Sequence, residues 1–437
     1  MSESKEELLR TAAAHGWDFS SIDIFDLLPV EARLDRQQTV FHPAELELTD
    51  TIRLITDRVA EVNPERLVID SLSDLRLLAS DPLVYRRQIL ALKQFLIGRS
   101  CTTLFLNDRT TENVEREMHS VAHGVIVLEQ IERMYGASRR RLCVVKMRGA
   151  DYQSGWHDFV ITKPAILVFP SLIAEEHKAE FKRETLPSGI RGLDDLTGGG
   201  IDRGTVTMLV GPSGVGKSTL ALGYAMNAVK AGEHVAYFSF DETYATFIQR
   251  GTALGFDAQT ASELEKFSWR RANPSRLSPG EFTWQVRRQV EECGARFVII
   301  DSLNSYFSTM PEEQSLILHM HELLSYLNNI GCITLLVLAQ EGIVGDVSNP
   351  VNLSFLSDGV ILMRYYEAAG EVRKAISMVK KRSGVHDRTI REFELDAAGM
   401  RIGQALTNLS GVLTGVPARC EPAPARTAES PAATTSG

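Results

Sequence analysis

The chain has 437 residues, 44% of them hydrophobic and 24% charged, with a formal net charge of −9. That is the balance of an ordinary globular protein too long for one core, and two or three domains are expected. The acidic balance argues against a surface built mainly for nucleic acid, the polar opening "MSESKEELLR" has no apolar targeting core, and no run nears the roughly 20 apolar residues that span a bilayer; a cytoplasmic protein without a membrane segment is expected.

Taken along the chain, "LVIDSLSDL" (67–75) is an apolar strand ending on Asp70, and "VVKMRG" (144–149) sets Lys146 and Arg148 at alternate positions. "SRRRL" (138–142) is the one dense basic run, and it leads straight into a strand. A charged, strand-free stretch beginning at residue 171 gives a linker over 171–183, between a first domain at 1–170 and a second at 184–407. In the second domain "VTMLVG" (206–211), "HVAYFSF" (234–240), "RFVIID" (296–301) and "CITLLVLAQ" (332–340) have strand length, separated by helical-period segments such as 217–232 and 312–331. Apolar strands alternating with helices predict an α/β fold with a mostly parallel sheet flanked by helices. Beyond residue 342, "DGVILMRYYEAAGEVRKAISMVKKRS" reads as strands joined by a tight turn at Gly370, hence an antiparallel extension. From about 408 to 437 the chain turns to Ala, Pro, Ser and Thr, and a disordered tail is expected there. Five cysteines, Cys101, Cys143, Cys293, Cys332 and Cys420, form no C-x-x-C pair, which fits reduced thiols better than a disulfide or zinc framework.

The chain repeats itself. Asp70 answers Asp301, "VVKMRG" answers "MVKKRS" (378–383), and "ESKEELLRTAAAHGWD" answers "ETYATFIQRGTALGFD", at offsets of 231, 234 and 239 residues. One duplicated domain is implied. The phosphate-loop pattern "GPSGVGKS" (211–218) nevertheless occurs once, because the same offset carries Lys217 to about 14 to 22 residues before Met1. A late start or a fragment is favoured over true loss of the first loop, since that repeat keeps Asp70 and its Lys146 and Arg148.

"GPSGVGKS" follows a strand and opens a helix, the setting in which G-x-x-x-x-G-K-[ST] binds phosphate. Gly211, Gly214 and Gly216 let backbone N–H groups close around the anion, Lys217 would reach the β- and γ-phosphates, and Ser218 would ligate Mg²⁺. Asp301 alone would read as a cap; beside this loop it reads as the acidic partner of the metal. "FDET" (240–243) offers Glu242, or else Asp241, to activate water, the plainer alternative being an N-cap cluster. Gln340 and Glu341 end a strand where a γ-phosphate would be sensed. Lys380 and Arg382 share one strand face and suit a phosphate supplied by a neighbouring subunit, the plainer alternative being a solvated edge.

These residues resemble the KaiC family within the RecA-like ATPases, from residue 1 to about 405. The segment "LPSGIRGLDDLTGGGIDRGTVTMLVGPSGVGKST" (186–219) is similar to the superfamily signature, and "FDET", "KMRG" with "GWHD", and "KKRSGVHD" narrow it. The resemblance implies tandem RecA-like P-loop NTPase domains, hexamers with ATP between subunits, slow hydrolysis, and serine/threonine autophosphorylation in the second domain. Residue by residue it implies a phosphate loop of Gly211, Pro212, Ser213, Gly214, Val215, Gly216, Lys217, Ser218 and Thr219. It implies Asp241 and Glu242 as catalytic acids, Asp301 on Mg²⁺, and Lys374, Lys380 and Arg382 as contacts across the interface. In "NLSFLSDG" (352–359) Ser354 survives as a phosphoacceptor candidate, while Phe355 stands where the family's clock members carry threonine, and the tail departs from their regulatory C-terminus. An ordered two-site cycle and clock partners therefore do not carry over, though a signalling protein partner is compatible. Two other activities stay open: a DNA-dependent ATPase, made unfavourable by the lack of a basic track, and a nucleotide-gated scaffold without turnover.

Overall fold

Strands that are apolar at every position can be buried on both faces, and the second half of the chain is built from such strands. The computed structural model describes residues 4–27, 43–79, 81–108, 119–133, 136–163, 165–253, 255, 266–273, 275–308, 315–340, 354–396, 399–414 and 417–419. They divide into one unit of residues 1–129 with 140–168 and another of 130–139 with 169–437. The strands, numbered along the chain, are β1 (Arg66–Ile69), β2 (Thr102–Phe105), β3 (Gly124–Ile131), β4 (Arg139–Met147), β5 (Trp156–Ile161), β6 (Ile166–Phe169), β7 (Thr185–Leu186), β8 (Ile201–Asp202), β9 (Val206–Pro212) and β10 (Val235–Ser239). They continue with β11 (Phe267–Arg271), β12 (Phe297–Asp301), β13 (Ile333–Gln340), β14 (Gly359–Ala368), β15 (Glu371–Lys381), β16 (Arg391–Asp396), β17 (Gly399–Ala405), β18 (Leu409–Ser410) and β19 (Ala418–Arg419).

In the second unit nine strands form one sheet in the order β11-β10-β12-β13-β9-β14-β15-β16-β17. β11 through β14 are parallel to one another, and β15 to β17 are antiparallel. The antiparallel extension expected from the turn at Gly370 is the β14–β15 hairpin, joined to the parallel strands because β14 itself lies parallel to β9. Ala369 and Gly370 both have positive φ, 55° and 76°, as a tight hairpin between β14 and β15 requires. Along β12 the alternation of side chains sorts the core into two layers. Val298 and Ile300 pack under the helices Pro279–Glu291 and Ser315–Asn329, while Phe297 and Ile299 pack under the helix Lys217–Lys230.

The stretch 171–183 is strand-free as expected, yet it is packed. The Ala174 N–H donates to Glu322 at 3.1 Å, Asn329 donates to the Ala174 carbonyl at 2.9 Å, and His177 meets the Tyr326 ring edge-on. The expected tail needs correction at its start: β18 pairs with β19, and Val412 is buried beside Tyr366 and Ala375. Those few apolar side chains have a hydrophobic patch to cover, which composition alone does not reveal; residues 420–437 lie outside the described ones. Among the described residues no helix is long and apolar enough to cross a membrane, and Cys101, Cys143, Cys293 and Cys332 are free thiols.

In the first unit β1 is parallel to β2, and β3 to β6 form a second sheet. A shift of 231 residues carries the pair Arg66↔Thr102 onto Phe297↔Ile333, so the duplicated strands keep their register. The peptide bond after Asp70 is cis, as is that after Asp301. One face of β1 and β2 is covered by the helices Pro43–Val62 and Pro82–Ile97 through Leu48, Ile52, Ile89 and Leu92. The other face is bare. Val68, Leu104, Leu106, Ile126 and Leu128 are exposed, while Ile299, Leu335, Val337, Ile361 and Met363 at the repeat positions are buried under the helix Lys217–Lys230. Among the described residues nothing in this unit stands where β9 and that helix stand in the other, and each such side chain, about half exposed, forgoes roughly half of the 1.5–3 kcal/mol that full burial gives.

Candidate functional site

β9 is buried throughout and delivers the chain to Pro212, after which residues 213–216 turn into the helix Lys217–Lys230. Gly214 and Gly216 hold φ of 75° and 118°, a region that costs glycine little. A Cβ on Gly211 would stand 2.4 Å from the Met363 carbonyl oxygen, so the loop passes its neighbours as bare backbone. Gly216 caps the helix without a side chain, leaving the first-turn N–H groups directed into the loop.

Lys217 is 7% exposed and donates to the carbonyls of Gly211 at 2.9 Å and Pro212 at 2.7 Å. Burial pulls its pKa down to about 8, with the charge of Asp301 working the other way. An ammonium held only by carbonyls in a dry site is poised to exchange them for a phosphate. Asp301 is 8% exposed. Burial pushes its carboxyl up, against hydrogen bonds from Tyr237 and Ser218 that hold it down. The Tyr237 hydroxyl donates to Oδ2 at 2.5 Å. Lys217 and Ser218 both act on Asp301, so the three lie at one place.

The two candidate acids have different surroundings. Asp241 accepts from the hydroxyls of Ser302, at 2.8 Å, and Ser305, which follow Asp301 in the chain. Glu242 is gripped by Arg250 through two bonds, Nη2 to Oε2 at 2.6 Å and Nε to Oε1 at 3.2 Å. Arg250 also interacts with Tyr237, so Glu242, Arg250, Tyr237 and Asp301 form one connected network.

Gln340 is paired in register with Pro212, and its Oε1 is buried without a partner; Glu341 lies outside the described residues. Lys374 is opposite Tyr365, whose hydroxyl is 3.2 Å from where a Gly214 Cβ would stand, so Lys374 is at the phosphate-loop end of the sheet. Lys380 is opposite Val360, which is opposite Met208, at the other end. There Lys380 donates to the Ser357 carbonyl at 2.6 Å and Arg382 lies 3.5 Å from the Asp358 carboxylate. In the first unit Lys146 likewise donates to backbone carbonyls, those of His119 and Ala122, while Arg148 donates to the Ser120 carbonyl where Arg382 meets a carboxylate. Ser354 opens a short 3-10 turn to Leu356 close before that end of β14; its side chain is outside the described ones. The three basic residues are thus not brought together within one chain.

The sequence model of the family described as "ATPase: KaiC" matches residues 1–173 and again 186–407. The chain belongs to the KaiC family. It is 28% identical over 383 residues to "Circadian clock protein KaiC3" of Synechocystis sp., covering 85% of this chain and 74% of that one. It is 24% identical over 432 residues to "Circadian clock oscillator protein KaiC" of Acaryochloris marina, covering 95% and 80%. The protein of the same description from Synechococcus elongatus is 24% identical over 428 residues, covering 95% and 81%. The KaiC match carries with it tandem RecA-like P-loop domains and ATP binding. Within this KaiC-family site the donors fit magnesium: the Ser218 hydroxyl acts on the Asp301 carboxylate, and both are oxygens of the kind this ion takes. Among the described residues no cluster of three acid, histidine or cysteine ligands exists, so phosphate oxygens and water must complete such a shell.

Sequence reasoning did not reach Tyr237 or Arg250. A signal existed for the first, since Ser239 is paired with Asp301 and Tyr237, the lone phenol of an apolar strand, shares its face two residues earlier. Arg250 lies in the helix Tyr244–Ala253, which begins two residues after Glu242, and no pattern in the sequence marks the pair.

Proposed function

We propose that this KaiC-family chain is a cytoplasmic ATPase that holds ATP with Mg²⁺ on residues 211–219 and hydrolyses it where a neighbouring protomer of a hexameric ring closes the site. The convergence of Lys217, Ser218 and Asp301 carries this reading. Lys217 leaves the carbonyls of Gly211 and Pro212 for the β- and γ-phosphates, and Ser218 and Asp301 hold the metal. Magnesium supplies neutralisation of charge on the phosphate oxygens. Glu242, oriented by Arg250, takes the proton of the attacking water, with Asp241 bracing the turn after Asp301.

The register supports a shared site. Met208, opposite Lys380 through Val360, lies four residues before Pro212, about 13 Å at roughly 3.3 Å per residue. Lys380 and Arg382 are therefore out of reach of their own chain's phosphates, and serve a nucleotide held by another copy. Ser354 precedes that same end of β14, which favours serine autophosphorylation between protomers. Such a nucleotide-dependent ring suits signalling or timing with a protein partner.

Purified chain should assemble with ATP and magnesium and release phosphate, and Glu242→Gln should lower kcat by about 10²-fold or more while ATP stays bound. Turnover that survives Glu242→Gln would overturn the assignment of the base. Labelled phosphate should enter the protein and be absent from Ser354→Ala; incorporation that persists removes Ser354 as the acceptor.

A further inference from the structure

Gln340 and Arg364 flank the start of the phosphate loop. β9 lies between β13 and β14; Gln340 is paired with Pro212, and Arg364 stands two residues past Leu362, which is paired with Val210. Both are therefore level with Pro212. Leu336, Leu338 and Leu362 pack in the layer under the helices Pro279–Glu291 and Ser315–Asn329, and Gln340 and Arg364 continue those alternating positions, so they share that face.

Each carries a buried polar atom without a partner, Oε1 of Gln340 and Nε of Arg364. For Arg364, burial acts alone: its pKa is lowered with no neighbouring acid to raise it again. A guanidinium does not shed its proton in a protein, so a half-buried one lacking a carboxylate carries a desolvation cost that an anion would offset. Arg250, by contrast, is committed to Glu242.

We propose that Arg364 is a phosphate-binding residue: its guanidinium takes the terminal phosphate of the nucleotide on the loop, and Gln340, across β9 from it, accepts a hydrogen from water at that phosphate. This rests on the loop holding ATP. It makes Arg364 the group by which the site distinguishes a nucleoside triphosphate from a diphosphate, from the face of the sheet opposite Asp301. A planar fork suits tetrahedral phosphate oxygens, and lysine substitutes only in part.

The test uses the full chain with magnesium and measures Kd for ADP and for a non-hydrolysable ATP analogue in wild type, Arg364→Met, Arg364→Lys and Lys217→Ala. Arg364→Met should lose about tenfold or more of the preference for the triphosphate with ADP affinity within about twofold, and Arg364→Lys should recover part of it. Its nucleotide-free melting temperature should be unchanged or higher, since an unpaired charge has been removed. Preference retained in both variants overturns the proposal. So does a lower melting temperature accompanied by equal losses for both nucleotides, which marks a structural residue. Wild-type protein that binds neither nucleotide, like Lys217→Ala, refutes the loop assignment itself, and this proposal falls with it.

Discussion

Replacing Arg250 by methionine removes the partner of Glu242 while keeping the length of the side chain. The two side chains are 20% and 19% exposed and are joined by two bonds, so the pair is mostly desolvated. Breaking a buried pair costs about 3–5 kcal/mol, and the fifth that remains in water argues for the lower end, about 3 kcal/mol. In a unit of this size that is a fall in melting temperature of about 6–12 °C. Glu242→Gln strands the arginine and should cost a similar amount. The double variant should then cost clearly less than the sum, with a coupling of about 2 kcal/mol, because the second substitution removes a group already orphaned. Scanning calorimetry without nucleotide on the four proteins measures this, and kcat of Arg250→Met should fall with KM for ATP nearly unchanged. Additivity within about 0.5 kcal/mol would refute the coupling, and with it the view that Arg250 positions Glu242.

Other outcomes follow from individual contacts. Gly211→Ala drives a Cβ to 2.4 Å from the Met363 carbonyl, a backbone atom that has no rotamer to change; ATP affinity should fall at least tenfold, and a Kd within twofold of wild type would contradict the close passage of the loop. Asp202 is half-buried, which alone would raise its pKa, but bonds from Ser383 and Thr185 and the charge of Lys381 bring it below the usual value. Its contribution to stability is therefore present above the free carboxylate range near about pH 4 and is lost as pH falls through the lowered value, so the melting gap between wild type and Asp202→Asn should be wide at neutral pH and close in acid. A gap that is the same at both extremes would refute the ionic basis. Cys293 is exposed, whereas burial pushes the Cys332 thiol up to about 11, so iodoacetamide at neutral pH should label the first and spare the second in native protein; mass spectrometry of digested peptides reports which.

The apolar runs of the second repeat were legible as strands because each is short, apolar throughout and separated from the next by a segment of helical period. The loop glycines were legible because their spacing is dictated by phosphate geometry. What sequence did not reach depends on which strands become neighbours. Tyr237 is an ordinary strand residue until β10 lies beside β12, and Arg364 is an ordinary edge arginine until β14 lies beside β9. Lys380 and Arg382 alternate in the sequence, but only the register shows that Lys380 lies at the far end of the sheet from the chain's own Lys217. The end of the ordered chain was set too early because Val412 finds a patch formed by Tyr366 and Ala375, residues on strands more than thirty positions away.

Mixing two disabled proteins tests the shared site most directly. Lys217→Ala lacks the phosphate-holding side of an interface, and the double variant Lys380→Ala with Arg382→Ala lacks the side contributed by the neighbour. Each should be inactive alone. Mixed and allowed to exchange, they should regain ATPase activity in roughly one interface in four, those that pair an intact loop with an intact neighbour. Activity in the Lys380 and Arg382 double variant by itself, or a mixture as inactive as its components, would contradict the claim that a second protomer completes the site.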